Sequence, residues 1–148
     1  MLYKQQSFSN FEPDLRYLDS FPFSREEFLF FDIETTGFSP RNTSLYLIGA
    51  VCFLDEHWTF LQWFAETPSE ECEILNAFLA FCRSFRAVVH FNGDGFDIPY
   101  LLFKAEKYTL SDTLSSMQSI DLYRLTKPIC SKPGFLPIAG IYFLNFLD

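Results

Sequence analysis

Asp32 and Glu34 stand one residue apart at the end of an apolar run, Phe28 to Phe31. Side chains alternate faces along a strand, so a strand through this stretch points both carboxylates one way and Ile33 the other. Two acids on one face of a buried strand repel each other. They are costly there unless a cation or a shared proton lies between them. The chemistry such a pair suits is a divalent-metal site; the alternative is two solvated acids at a strand exit. Thr35, Thr36 and Gly37 then turn the chain, and Gly37 is free to take backbone angles that other residues resist. A third carboxylate, Asp97, ends the glycine-rich stretch Asn92-Gly93-Asp94-Gly95-Phe96-Asp97, which follows a second apolar run from Ala87 to Phe91.

The intervening elements decide whether these acids meet. Leu45 to Leu54 is apolar on both alternating faces, as in a strand covered on both sides. Asp55-Glu56 makes a turn and His57 to Phe64 returns, giving a hairpin with His57 on its surface edge. Thr67-Pro68-Ser69-Glu70 reads as a helix start, with Thr67 as the cap, Pro68 at the first position and Glu70 closing a capping box. Leu75, Phe78, Leu79, Cys82 and Phe85 follow at helical spacing. Glu70, Glu71 and Glu73 near its start and Arg83 and Arg86 near its end suit the helix dipole, which accounts for them without a functional role. Ala87 to Phe91 is a short buried strand, and a helix from Phe96 or Asp97 turns Ile98, Leu101 and Leu102 inward. Strand, helix, strand in this order predicts a parallel crossover that brings Asp97 toward Asp32 and Glu34. Thr109 to Ser119 reads as loop or frayed helix, and order resumes from Ile120 to Leu125.

The 148 residues amount to about one domain. Twenty phenylalanines predict an aromatic-rich core. Residues 1–27 read as an N-terminal arm, extended or partly helical, packed onto the domain. Met1 to Asn10 mixes polar residues with single apolar ones, unlike a secretory signal. No charge-free stretch reaches the roughly 20 residues of a membrane span, so no membrane partner is expected. Cys52, Cys72, Cys82 and Cys130 show no C-x-x-C spacing and read as buried thiols in a reducing, cytoplasmic setting. The net charge of −8 is unlike a nucleic-acid-binding surface, although bound divalent cations would offset part of it. The charge is also unevenly placed: Lys104, Lys107, Arg124, Lys127 and Lys132 outnumber Glu106, Asp112 and Asp121 between Ile98 and Phe135.

Several motifs fail. Gly93-Asp94-Gly95 would need a glycine at Ile98 to make a dinucleotide loop. A calcium loop fails because Phe96 takes a ligand position. No G-x-S-x-G elbow supports a serine hydrolase. His90 reads as a satisfied core histidine in preference to a catalytic one. The two glycines read either as a plain strand-to-helix turn or as room for a substrate's backbone beside a metal-binding Asp97.

Phe31-Asp32-Ile33-Glu34-Thr35-Thr36-Gly37 resembles the first motif of the DEDD-type 3′–5′ exonucleases, which have a ribonuclease H-like fold. His90-Phe91-Asn92-Gly93 through Phe96-Asp97-Ile98-Pro99 resembles their second motif. Tyr46-Leu47-Ile48-Gly49, Pro68-Ser69-Glu70 and Asp121-Leu122-Tyr123-Arg124 are similar to the bacterial YprB-type branch in particular. The resemblance covers about residues 28–127. The family pattern uses four acids; Asp32 and Glu34 match the first two and Asp97 the third. The fourth belongs to a later motif, Tyr or His followed by Asp four or five residues on. Here the sequence departs, since Phe146 and Leu147 stand at those distances from Tyr142.

The resemblance implies an α/β domain with a ribonuclease H-like mixed sheet, an antiparallel hairpin plus parallel strands, flanked by helices. It is expected over residues 28–131, incomplete at its C-terminal end, with 132–148 as an apolar divergent tail. That tail is expected to be poorly accommodated and to promote self-association. Phosphodiester hydrolysis needs a nucleophilic water and a stabilised leaving oxygen, which two metals about 4 Å apart supply. Hard Mg²⁺ or Mn²⁺ prefer carboxylate oxygens. The resemblance implies that Asp32 bridges both metals, Glu34 holds one and Asp97 acts on the other. It also implies that Thr35, Thr36 and Asn92 border the terminal nucleotide, and that the partner is nucleic acid with single-stranded ends. Without the fourth acid the second metal is poorly held. Three functions follow: a metal-dependent 3′–5′ exonuclease, a catalytically inactive nucleic-acid- or protein-binding remnant of that fold, and a phosphatase-like hydrolase.

Overall fold

The computed structural model describes residues 1–125. Strands β1 (Leu2–Phe8), β2 (Phe28–Thr35), β3 (Leu45–Leu54), β4 (His57–Phe64), β5 (Ala87–His90) and β6 (Gln118–Asp121) form one sheet in the order β1-β4-β3-β2-β5-β6. The pairings β1–β4, β4–β3 and β3–β2 are antiparallel; β2–β5 and β5–β6 are parallel. Helices α1 (Glu71–Cys82) and α2 (Asp97–Lys107) join β4 to β5 and lead from β5 toward β6. The fold is thus an α/β mixed sheet of the expected kind. At the hairpin turn, Asp55 and Glu56 take φ of 47° and 64°, the left-handed angles that match the twist of two antiparallel strands.

The sheet has two unlike faces. Leu29, Phe31 and Ile33 of β2 share one face with Ile48, Ala50, Leu61 and Trp63, packed against Ile74, Leu75 and Phe78 of α1 and Leu101 of α2. The aromatic core expected from composition lies here: Phe78 meets Phe31 at 5.3 Å and Trp63 at 5.6 Å between ring centroids. The other face carries Phe28, Phe30, Val89 and Ile120, covered by Leu15, Leu18, Phe21 and Phe23. Further along it, Phe11 stands edge-on to Trp58 and Arg25 lies 3.8 Å over the Phe53 ring. Residues 9–27 therefore cover this second face, while Leu2–Phe8 joins the sheet itself as an edge strand.

Three local expectations are corrected. Thr67 makes no capping bond; its hydroxyl pairs with Ser69 Oγ at 2.8 Å. Glu70 Oε2 instead accepts the Glu66 N–H at 2.8 Å, and its Oε1 lies 3.0 Å from the Met1 ammonium, which draws the carboxylate toward β1. Cys72 is half-buried, because it lies off the inward stripe of α1, whereas Cys52 and Cys82 are buried. Gln118 and Ser119, read as loop, belong to β6. His57 is exposed, as expected. Among the described residues no helix is long and apolar enough to cross a membrane. Cys130 and the tail from Lys132 lie outside the described residues.

Candidate functional site

Alternation along β2 turns Ile33 into the helix-covered core and leaves Asp32 and Glu34, both half-buried, on the opposite face. Asp97 is the first residue of α2 and is only 5% exposed. The three carboxyls act on one another. Burial, then the charges of Asp32, Asp121 and Glu34, pushes Asp97 up to about 7. Burial, then Glu34, raises Asp32 as well. Among the described residues no Lys or Arg forms an ion pair with any of the three. The result is a half-buried concentration of negative charge with oxygen donors only. That donor set fits a hard divalent cation such as Mg²⁺ or Mn²⁺, which would favour the ionised form of each carboxyl.

A second network fixes the loop that carries Asp97. The Gly93 N–H donates to His90 Nδ1 at 3.0 Å, which leaves the ring proton on Nε2. Nε2 donates to Ser119 Oγ at 2.7 Å, and Ser119 Oγ donates to Asp94 Oδ1 at 2.7 Å. Arg124 Nη2 lies 3.3 Å from Asp94 Oδ2. Burial holds His90 below the usual imidazole range, against the pull of Asp121 and Asp94, so it is neutral at pH 7. It is the satisfied core histidine expected. A Cβ on Gly93 would lie 2.5 Å from His90 Nδ1 and 3.0 Å from Asp97 Oδ2. The glycine is needed because His90 and Asp97 pack on either side of it. Nothing comparable crowds Gly95.

Asp121 clamps the same loop. Its Oδ1 accepts the Asn92 N–H at 2.7 Å and the Tyr123 N–H at 3.0 Å, and its Oδ2 accepts the Asp94 N–H at 3.4 Å. Asn92 sits in the left-handed region at φ 57°. Ligand-type atoms of His90, Asp94 and Asp121 lie within 4.8 Å of one another and are of kinds that could hold a metal ion. Sequence reasoning did not assemble this group. Its signal was Ser119 and Asp121 two residues apart, on one face of a short strand hidden in a polar segment.

Thr35 and Thr36 are engaged in their own turn. Thr35 Oγ1 donates to the Gly37 carbonyl at 2.8 Å, and Thr36 Oγ1 accepts the Ser44 N–H at 2.9 Å. The loop beyond them is tied to both helices. Glu71, 2% exposed, meets Lys104, 1% exposed, at 2.8 Å. Lys104 Nζ also donates to the Thr43 carbonyl at 2.6 Å, and Glu71 accepts the Leu45 N–H at 2.7 Å and the Tyr108 hydroxyl. Burial alone would raise Glu71; Lys104, Tyr108 and the Leu45 amide together hold it below the ordinary carboxylate range. At the tip of this loop Phe38 is 89% exposed, its ring 6.0 Å from Phe96, the residue before Asp97.

Residues 29–135 match the family model of the RNase H superfamily. The chain belongs to the RNase H superfamily. The fold is also similar to that of a family B DNA polymerase from the hyperthermophilic archaeon Pyrobaculum calidifontis, with a TM-score of 0.61 at 19% identity. That likeness covers 78% of this chain and 18% of the polymerase chain, and at this identity it concerns the fold alone. No curated protein matches the sequence. Within this RNase H-superfamily fold, the acid pair sits near the C-terminal end of β2, and the parallel neighbour β5 leads directly into the loop that ends in Asp97.

Proposed function

We propose that this chain is a metal-dependent 3′–5′ exonuclease-like domain that hydrolyses phosphodiester bonds of nucleic acid. Within the superfamily we place it in the DEDD type, closest to the YprB-type branch. The observation that carries the reading is the Asp32, Glu34 and Asp97 cluster: three carboxyls, two with raised pKa values, and no basic partner among the described residues. Asp32 would be shared between two Mg²⁺ or Mn²⁺ ions, with Glu34 holding one and Asp97 the other. Bound there, the cations supply an activated water and stabilise the leaving oxygen. With its pKa pushed up to about 7, Asp97 would be partly protonated near neutral pH and would ionise on holding a cation. Thr35, Thr36 and Asn92 border the space for the terminal nucleotide. The Glu71–Lys104 pair keeps the Phe38 loop in place beside it, and the exposed Phe38 ring offers a stacking surface that suits unpaired ends.

A second reading is nucleic-acid binding without cleavage. It is favoured by Asp121, the further carboxylate whose charge reaches Asp97, because its oxygens are spent on backbone N–H groups and do not complete a four-acid set. Incubation with 5′-labelled single-stranded DNA and RNA in Mn²⁺ separates the two. Stepwise shortening from the 3′ end, abolished by chelation and by Asp32→Asn, supports the exonuclease. Metal-dependent retention of intact strands supports the second reading, and neither binding nor cleavage contradicts both.

A further inference from the structure

The face of the sheet that carries the acids continues past Glu34 as a groove of about 650 Å³. The strand register builds it. Glu34 pairs with Leu47, Leu47 with Phe64 and Phe64 with Leu2, so one cross-strand row runs from the acid to the outer edge of the sheet. A second row runs from Asp32 through Gly49 and Gln62 to Lys4. Gly49 puts no side chain on the sheet in the middle of that row. The volume falls within the range of built ligand sites. Tyr46 lines the same groove with its ring 6.4 Å from that of Phe64, and Leu2 and Phe64 are among the large exposed apolar side chains. Residues 9–27 cover the sheet around Phe53 and Trp58 but are not among the residues that line this groove.

We propose that this groove receives the unpaired nucleotides leading up to the scissile end. Bases stack on Tyr46 and Phe64, a backbone phosphate meets Lys4 Nζ, and the terminal phosphodiester lies at Asp32 and Glu34. The inference rests on the reading of those acids as the hydrolytic site. Exposed rings on a rigid sheet face, with a cation beside them, are what single-stranded nucleic acid recognises without regard to sequence. The charges are ordered for such a strand: the lysine stands at the outer end of the groove and the carboxylates at the inner end. A polyanion is repelled at the inner end unless a divalent cation is held there. Occupancy of the groove is therefore metal-dependent. The strand β1, which carries Leu2 and Lys4 on this face, is thus a substrate-binding strand as well as an edge strand.

The test uses the full chain and fluorescein-labelled oligothymidine and oligouridine of two, four and eight nucleotides, with 3′-terminal phosphorothioate linkages, in Mn²⁺ at several salt concentrations. Affinity is expected to rise with length. Phe64→Ala should cost the eight-nucleotide strand about tenfold, one stacked base, and the dinucleotide far less. Lys4→Glu should lower the slope of log affinity against log salt by about 0.7, one phosphate contact, and Gln62→Lys should raise it by a similar amount. The last variant keeps the test sound if the other two fold poorly. Variants with the wild-type length dependence and salt slope would overturn the inference, as when a second copy or another part of this chain fills the groove. If such variants accompany stepwise nucleotide release by the wild type, only the groove is lost. A wild-type chain that neither binds nor shortens any strand overturns the groove and the hydrolytic reading together.

Discussion

Glu71 and Asp97 are both helix-borne carboxylates removed almost entirely from water, yet their acidities move in opposite directions. Glu71 begins α1, where Lys104, Tyr108 and the Leu45 amide satisfy its oxygens and hold it ionised. Asp97 begins α2, where Asp32, Asp121 and Glu34 add negative charge and, among the described residues, no ion pair relieves it. Both side chains are nearly closed to solvent, and the groups around them carry opposite charge. A carboxylate whose charge is answered within the fold is a fastening. One whose charge is left over, beside two others, is a place for a cation.

The largest expected effect lies in the fastening. Lys104→Met strands the Glu71 charge and frees the Thr43 carbonyl, so it should cost about 3–5 kcal/mol of stability in urea denaturation. Replacing both partners with apolar residues should recover much of that loss. A single-variant loss below about 1 kcal/mol, the scale of a surface pair, would make this pair no different from an exposed one.

Asp97 should behave in the opposite sense. Its folded pKa of about 7 lies above the ordinary value of 3.8, so between those values the folded protein binds more proton than the unfolded chain. The contribution of this carboxyl to stability is then greatest below about pH 4, falls as pH rises toward 7 and levels off above it. The fall should be no more than about 4 kcal/mol. Asp97→Asn should remove it and raise the metal-free melting temperature at pH 8. A variant with an unchanged pH profile would show that the site does not raise this carboxyl.

A smaller effect separates the two glycines of the Asp97 loop. Gly93→Ala forces a Cβ into His90 and should cost about 1–3 kcal/mol. Gly95→Ala meets only ordinary contacts and should stay within about 0.5 kcal/mol. Equal effects in a thermal melt would remove the packing argument for Gly93.

Much of this was legible in the sequence because the signals were local. The D-x-E spacing fixed the facing of Asp32 and Glu34, the apolar runs marked β2 to β5, and the order strand-helix-strand implied that β5 lies beside β2. What escaped depends on distant partners. Leu2–Phe8 carries no alternating pattern, since an exposed edge strand has no buried face to impose one. The strand Gln118–Asp121 is polar because Ser119 and Asp121 serve the His90 loop and not a core. Glu71 looked like an ordinary acid at a helix start, and only the packing of α1 against α2 shows that Lys104 reaches it. Thr67 and Glu70 had the residue types of a capping box, but the Thr67 hydroxyl turns to Ser69 and Glu70 is held chiefly by the Glu66 N–H and the Met1 ammonium just before β1.

Titration calorimetry with Mn²⁺ on the wild type, Asp32→Asn and Asp97→Asn, in buffers of different ionisation enthalpy near pH 6.5, tests the uncompensated acid cluster most directly. The account predicts binding by the wild type with release of protons, weaker binding with somewhat less proton release by Asp32→Asn, which also removes a charge that raises Asp97, and weaker binding with the largest loss of proton release by Asp97→Asn. Equal Mn²⁺ binding by all three proteins, or none by the wild type, would contradict it.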